Sequence, residues 1–169
     1  MNNQTQNFGE AIKFYADRQK DKLKRTALNV QYVETKGKTL SVHVEMAIIP
    51  VNSTKADWDH KVVVQLSIHE LADVCSTLFG LKREVRANYH GDNRNKGITV
   101  INNGSKGASI QLSEAGSVMQ HLLSHQQRVE LGVFIIRRLA MAWQISVSDT
   151  LAILRQSVVL ERQSFEEQC

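Results

Sequence analysis

The chain contains few cysteines, which can cross-link a small fold, and few prolines, which interrupt helices and strands. Its 169 residues include only two cysteines, Cys75 and Cys169, and one proline, Pro50. Two cysteines cannot form the framework of bridges that stabilises small secreted domains, and these two do not form a CxxC metal pair. Because a chain of this length buries a continuous core without staples, we expect one globular unit in a reducing compartment.

Long apolar runs are missing as well. No segment approaches the roughly 18–20 apolar residues that span a bilayer, and residues 1–15 lack a basic stretch followed by an apolar one. We therefore expect a cytoplasmic protein that does not enter a membrane.

The chain has no large excess of one charge. The 21 basic residues are mixed with 17 acidic ones, which gives a net charge of +4. This balance permits nucleic-acid binding without requiring it. Basic residues concentrate in 13–25 and 82–97, although a run of this kind is more often a solvated helix face or loop.

No familiar catalytic or metal motif is complete. His69 and Glu70 begin like a zinc-protease helix, but Asp73 stands where the second histidine is needed. Cys75 lies on the apolar face of a predicted helix, which favours a buried structural thiol over a nucleophile. The loop 91–97 has too few carboxylates for a calcium site. We predict a protein that is not an enzyme and that uses no cofactor and no metal.

A repeated pattern is present. Residues 61–66 form a β-branched run, and Ser67 stands at a helix N-cap with Glu70 three residues later, before a predicted helix over 68–79. Residues 107–121 repeat Gln-Leu-Ser after an alternating run. There Ser113 is the predicted cap of a second helix, with an apolar stripe of Val118, Met119, Leu122 and Leu123. We infer an internal duplication.

Alternating and helical spacings predict the remaining elements. Three strands are expected in each repeat, over 28–34, 40–49, 61–66, 83–90, 97–102 and 108–112. The alternation in the second of them predicts one wet face. Further helices are predicted over 7–25, over 125–145 and after a cap at Ser148. The fold class is therefore α+β, with two antiparallel sheets each followed by helix. The predicted division is an N-terminal helical or mobile segment at 1–27, a domain at 28–145 and a C-terminal helical extension at 146–169.

Basic and aromatic residues lie near the ends of these strands. Single-strand binding requires cations beside phosphates and aromatic faces on which unpaired bases stack. The residues predicted to bind nucleic acid are Lys36, Lys38, Trp58, Lys61, Tyr89, Lys96 and Lys106. Trp58, in a polar loop, is the one that core packing explains least, although a loop tryptophan also commonly covers the edge of a core.

Several motifs resemble, in the same order, those of the Whirly family of single-stranded-DNA-binding proteins. They are KGKTLSV at 36–42, DWDHKVVVQLS at 57–67, SIHEL at 67–71, VRANYHGDNRNKG at 85–97 and GASIQLSEAGSVMQHLL at 107–123. The resemblance covers roughly 35–143. It implies two copies of a four-stranded sheet with a helix, a homotetramer, and single strands bound along sheet edges between subunits. The absence of a transit peptide suggests a bacterial, phage or plasmid-type relative.

The expected function is sequence-tolerant binding of single-stranded DNA by a homo-oligomer, in protection, repair, recombination or replication. One alternative is RNA binding, because the mitochondrial guide-RNA-binding proteins and positive-cofactor-4 coactivators share related architecture. Another is an assembly or regulatory protein whose apolar helices dock a protein partner.

The helices predict the oligomer. Segments 129–143 and 151–160 carry wide apolar faces, which favour a homo-oligomer, a tetramer, with Ile135 and Leu139 at the interface. Pairing of these helices within one chain is the alternative.

Overall fold

Two four-stranded antiparallel sheets organise the protein, and in each sheet the strands lie in chain order. The computed structural model describes residues 7–15 and 18–166. Sheet 1 contains β1 (Asn7–Phe14), β2 (Thr26–Glu34), β3 (Leu40–Ile48) and β4 (Val62–Gln65), and sheet 2 contains β5 (Glu84–His90), β6 (Lys96–Asn102), β7 (Ala108–Glu114) and β8 (Ser117–Leu123). The helices are α1 (Ile68–Leu78), α2 (His125–Trp143) and α3 (Val147–Glu166). The predicted α+β class and duplicated unit are confirmed.

The two units pass from sheet to helix in the same way. Ser67 accepts a hydrogen bond from the Glu70 amide, and the Glu70 carboxylate accepts one from the Ser67 amide. Ser124 and Gln127 make the same reciprocal pair at the start of α2. Each capping box satisfies two amides that the first helical turn leaves free. The duplication therefore aligns Ser67 with Ser124.

The predicted helix after Ser113 is wrong, because that segment forms a β-hairpin. β7 and β8 pair from Ala108 opposite Leu123 to Glu114 opposite Ser117. Ala115 and Gly116 make the turn, with φ of 51° and 86°. Gly116 adopts this left-handed conformation without steric cost, and it interrupts a helix. The shared Gln-Leu-Ser therefore occupies different structural positions in the two units.

Each unit has four strands, not the three predicted. The additional strand in sheet 1 is β1, where the sequence predicted a helix over 7–25. β1 pairs antiparallel with β2, with Ile12 opposite Val30 and Phe14 opposite Leu28. Pairing with a distant strand outweighs the weak local amphipathic pattern. Within 18–25 the helical part is one 3₁₀ turn, Lys22–Lys24, capped by Asp21. Residues 1–6 of the predicted N-terminal segment lie outside the described residues.

The core lies where both sheets meet α1 and α2. Its fully buried side chains include Leu28, Met46, Leu66, Leu71, Ile110, Leu112, Leu123, Leu131, Ile135 and Leu139. Cys75 is also buried, as its helical position predicts. Burial raises the pKa of the Cys75 thiol to about 12. This thiol is therefore protonated at neutral pH and is a poor nucleophile.

The solvent-facing side predicted for β3 is not found. Residues 41–47 are buried on both faces of the strand. β3 lies between β2 and β4, and its polar side chains contact side chains of both strands. Asn29 Nδ2 donates to Glu45 Oε2, and His43 Nε2 lies 3.0 Å from Gln65 Oε1. The alternation itself is real: Val42, Val44 and Met46 join the core cluster, while His43 and Glu45 are buried polar residues.

The C-terminal helix α3 packs against the two earlier helices through a narrow stripe. Its buried side chains include Thr150, Leu154 and Val158. Its cap is Ser146, whose hydroxyl accepts from the Asp149 amide at 3.1 Å, and not the predicted Ser148. Lys82 links the helices, since its ammonium donates to Asp73 at 2.7 Å and to Glu161 at 3.0 Å.

Two interface positions expected from the sequence belong to the interior of the chain. Ile135 is 1% exposed and Leu139 is 0% exposed. The exposed large apolar residues of α2 include Val129, Val133 and Met141, and those of the described part of α3 include Val147, Ile153, Val159 and Leu160. The wide apolar face of α2 therefore divides into a core side and an outer side.

The length and apolar composition of the helices bear on whether the chain could cross a membrane. Within the described part of the chain, no single helix is long and apolar enough to cross a membrane. The pair α2 and α3 meets both criteria only when taken together across a 94° bend.

Candidate nucleic-acid interface

A row of polar side chains crosses one face of sheet 1. In the strand register, Lys13 of β1 lies opposite Asn29 of β2, and Asn29 lies opposite Glu45 of β3. Glu45 in turn lies opposite Val63 of β4. Directly opposed residues of antiparallel strands project to the same side, so these side chains share one face. Lys61, two residues before Val63, projects to that face as well.

Hydrogen bonds fix the middle of this row. The Asn29 amide Nδ2 donates to Glu45 Oε2 at 3.0 Å, and Lys61 Nζ donates to Glu45 Oε1 at 3.2 Å. The Glu45 side chain is only 11% exposed. A carboxylate this buried is tolerated because two donors hold it in place.

The Trp58 ring lies beside the same network. Trp58 belongs to a short 3₁₀ turn, Trp58–His60, just before β4. Lys13 Nζ lies 5.6 Å from the centroid of its ring, within cation–π range. Lys13, Asn29, Glu45, Trp58 and Lys61 line a cavity of about 140 Å³. We call these five residues the sheet-1 pocket.

Sheet 2 contributes at the β4 edge. Lys96, at the start of β6, donates through Nζ to the Val63 carbonyl at 3.4 Å. Tyr89 lies in β5, where the β5–β6 pairing shifts register. The residue is 79% exposed, and its backbone has a φ of 64°. A second polar row lies next to the pocket, where His43 Nε2 and Gln65 Oε1 are 3.0 Å apart.

The structure brings together only part of the predicted binding set. Trp58 and Lys61 line the sheet-1 pocket, and Lys96 reaches the neighbouring strand. Lys36 and Lys38 lie in the exposed β2–β3 turn, at the other end of β3 and roughly 20 Å from Lys61 at ~3.3 Å per strand residue. Lys106 lies in the β6–β7 turn, at the opposite end of β6 from Lys96. The binding role of each residue stays a prediction.

The Lys106 turn borders a separate groove. This groove has a volume of about 960 Å³ and is lined by Arg18, Lys106, Leu122 and Leu123 together with residues of the turn. Two cations at one groove suit an anionic ligand.

Sequence reasoning missed three of the five pocket residues: Lys13, Asn29 and Glu45. Lys13 fell in the segment predicted to be helical. Asn29 and Glu45 are the polar members of alternating strands, so a period of two was the available signal. Their meeting depends on the β2–β3 register, which the alternation alone does not specify.

Among the residues that the structure describes, no group of three or more His, Cys, Asp or Glu side chains is arranged to hold a metal ion.

Comparisons with known proteins identify solved structures of similar fold. No family model matches the chain. No curated protein matches its sequence. Among solved structures, it is similar to the plant transcriptional regulator PBF-2, with a TM-score of 0.59 and 15% identity over 80% of this chain and 91% of that one. It is also similar to trypanosome MRP1/MRP2, with a TM-score of 0.50 and 12% identity over 82% of this chain and 86% of that one. PBF-2 is a Whirly-family protein, so the fold implied by the sequence motifs is confirmed.

Proposed function

We propose that the protein binds single-stranded DNA in a sequence-tolerant way through the polar face of sheet 1. The observation that carries this proposal is the sheet-1 pocket, where Lys13 Nζ lies over the Trp58 ring and Lys61 lines the same cavity. Lysines neutralise phosphates, and an aromatic ring offers a stacking surface to a base. The bases of a duplex are already stacked and paired, so this combination favours a single strand. The likeness to a transcriptional regulator supports nucleic acid as the ligand class.

In this proposal the protein acts by binding alone, without catalysis. By covering single strands it would serve DNA protection, repair, recombination or replication. Exposed Lys36, Lys38 and Lys106, at the far ends of the two sheets, would extend the path of the phosphates beyond the pocket.

We also propose that the protein assembles into a homo-oligomer, a tetramer, through the outer sides of α2 and α3. Val133 is 47% exposed, Met141 53% and Leu160 56%. Closed symmetric assembly is the common way in which a soluble chain covers repeated apolar surface. Several copies of the sheet-1 face would then contact one strand, which raises avidity without new chemistry.

Trp58→Ala is expected to weaken binding of a thirty-nucleotide oligothymidine by about 5- to 150-fold, because one stacked base contributes about 1–3 kcal/mol. Fluorescence anisotropy of a labelled oligomer measures the change. Trp143→Phe is the matched control, because Trp143 lines a cavity between α1 and α3 and does not line the pocket. Unchanged affinity in a folded Trp58→Ala variant would exclude Trp58 as a stacking platform.

A further inference from the structure

One acceptor in the sheet-1 pocket has no hydrogen-bond partner. Asn29 is 4% exposed, and its Oδ1 is buried and unpaired. Its Nδ2 is already committed to Glu45. A buried acceptor without a donor is destabilising because its desolvation is not compensated. Because Asn29 lines the cavity, a group that enters there and donates a hydrogen bond would recover this cost.

The other walls of the cavity narrow the chemistry of such a group. Glu45 contributes further acceptor oxygens, and the Lys61 ammonium is directed at that carboxylate. The other cation of the cavity, Lys13, has its Nζ 5.6 Å from the centroid of the Trp58 ring. Trp58 provides a flat apolar wall. A volume of about 140 Å³ suits one small planar ring. The pocket is therefore built for a planar ring that carries hydrogen-bond donors.

We propose that the sheet-1 pocket binds a nucleobase and prefers bases with an exocyclic amino group, above all cytosine, over thymine and uracil. This inference rests on the proposed function and deepens it. Cytosine presents an N4 amino donor where thymine and uracil present the O4 carbonyl acceptor. A carbonyl placed against Asn29 Oδ1 and Glu45 would face acceptor oxygens and would leave Asn29 Oδ1 unpaired. The preference is superimposed on binding that tolerates every base through stacking and phosphate contacts.

The test compares thirty-nucleotide oligodeoxycytidine with oligodeoxyuridine at pH 8, because the amino group and carbonyl at C4 are the main difference between the two bases. Wild-type protein should bind the cytidine oligomer about two- to tenfold more tightly, the range of one hydrogen bond. Asn29→Leu should abolish this ratio, mainly by weakening cytidine binding. Gln31→Leu is the matched control, since Gln31 is a neighbouring polar residue of β2 that does not line the cavity.

A second variant tests the same preference independently, in case Asn29→Leu does not fold. Glu45→Gln keeps the shape of the side chain and replaces one acceptor with a donor, so it should lower the cytidine preference as well. Equal binding of the two oligomers by wild-type protein would overturn the base preference and leave single-strand binding intact. A preference that persists in both variants would overturn the assignment to this pocket. Absence of binding to either oligomer would overturn the proposed function itself.

Discussion

Leu139→Asp is expected to unfold the protein. Val133→Asp is expected to leave the chain folded and to reduce the mass of the oligomer. Leu139 is 0% exposed in the shared core. Truncating a buried leucine costs about 2–5 kcal/mol, and burying a carboxylate adds several more. Because a domain of this kind has about 5–15 kcal/mol of stability in total, the cooperative transition in circular dichroism should disappear.

Val133 lies on the same helix and gives the opposite result. Its side chain is 47% exposed, so an aspartate there remains hydrated in an isolated chain and changes the unfolding free energy by about 0.5 kcal/mol or less. In an oligomer joined through α2, the same carboxylate would lie in an apolar interface. Light scattering should therefore report a smaller mass than for wild type, with weaker single-strand binding.

A control variant separates an interface effect from a general effect of added charge. Val118→Asp introduces the same charge on β8, where Val118 is 62% exposed. It should retain the wild-type mass. A strictly monomeric wild-type protein at micromolar concentration would refute the oligomer, as would a Val133→Asp variant with unchanged mass.

Gly107→Ala should remove most of the stability of the fold. At Gly107, with φ of 110°, an added Cβ would lie 2.0 Å from the Leu123 carbonyl oxygen. That neighbour is backbone at the junction of β8 and α2, so it cannot yield as a flexible side chain can. Gly104→Ala in the same turn is the control, because Gly104 has φ of 62° and no atom within 4 Å of an added Cβ.

The two glycine variants should differ clearly in urea denaturation. Gly104→Ala carries only the left-handed backbone cost of about 1–2 kcal/mol. Gly107→Ala carries a steric clash in addition and should fail to show a folded baseline. Similar midpoints for the two variants would show that the β6–β7 turn does not pack as described.

Local patterns predicted most of the elements. β2, β3, β4 and α1 are found where alternation, β-branched residues and the Ser67 capping box place them. β8 was mistaken for a helix because Val118, Met119, Leu122 and Leu123 fit helical spacing as well as a strand. β1 was mistaken because its stability comes from pairing with β2, which is separated from it along the chain. The β8 error comes from a missed local turn at Ala115 and Gly116, and the β1 error comes from pairing with another strand.

The candidate site was predictable only in part, for a related reason. Trp58 and Lys61 stand out because an aromatic and a lysine occur together in a polar loop before a strand. The pairing of Asn29 with Glu45 requires the strand register, and the contact between Lys96 and Val63 requires the packing of one sheet on the other. Lys36, Lys38 and Lys106 were grouped with them by residue type alone, although consecutive connections of an antiparallel sheet lie at opposite ends.

Titration of the wild-type protein with a thirty-nucleotide oligothymidine and with a duplex of equal length decides whether it binds single strands. The single strand should bind more tightly, and the logarithm of its binding constant should fall with the logarithm of salt concentration by about 0.7 per phosphate contact. An RNA oligomer of the same length, in the same titration, tests the RNA-binding alternative. Equal binding to single strand and duplex, or no binding to either, would contradict the claim.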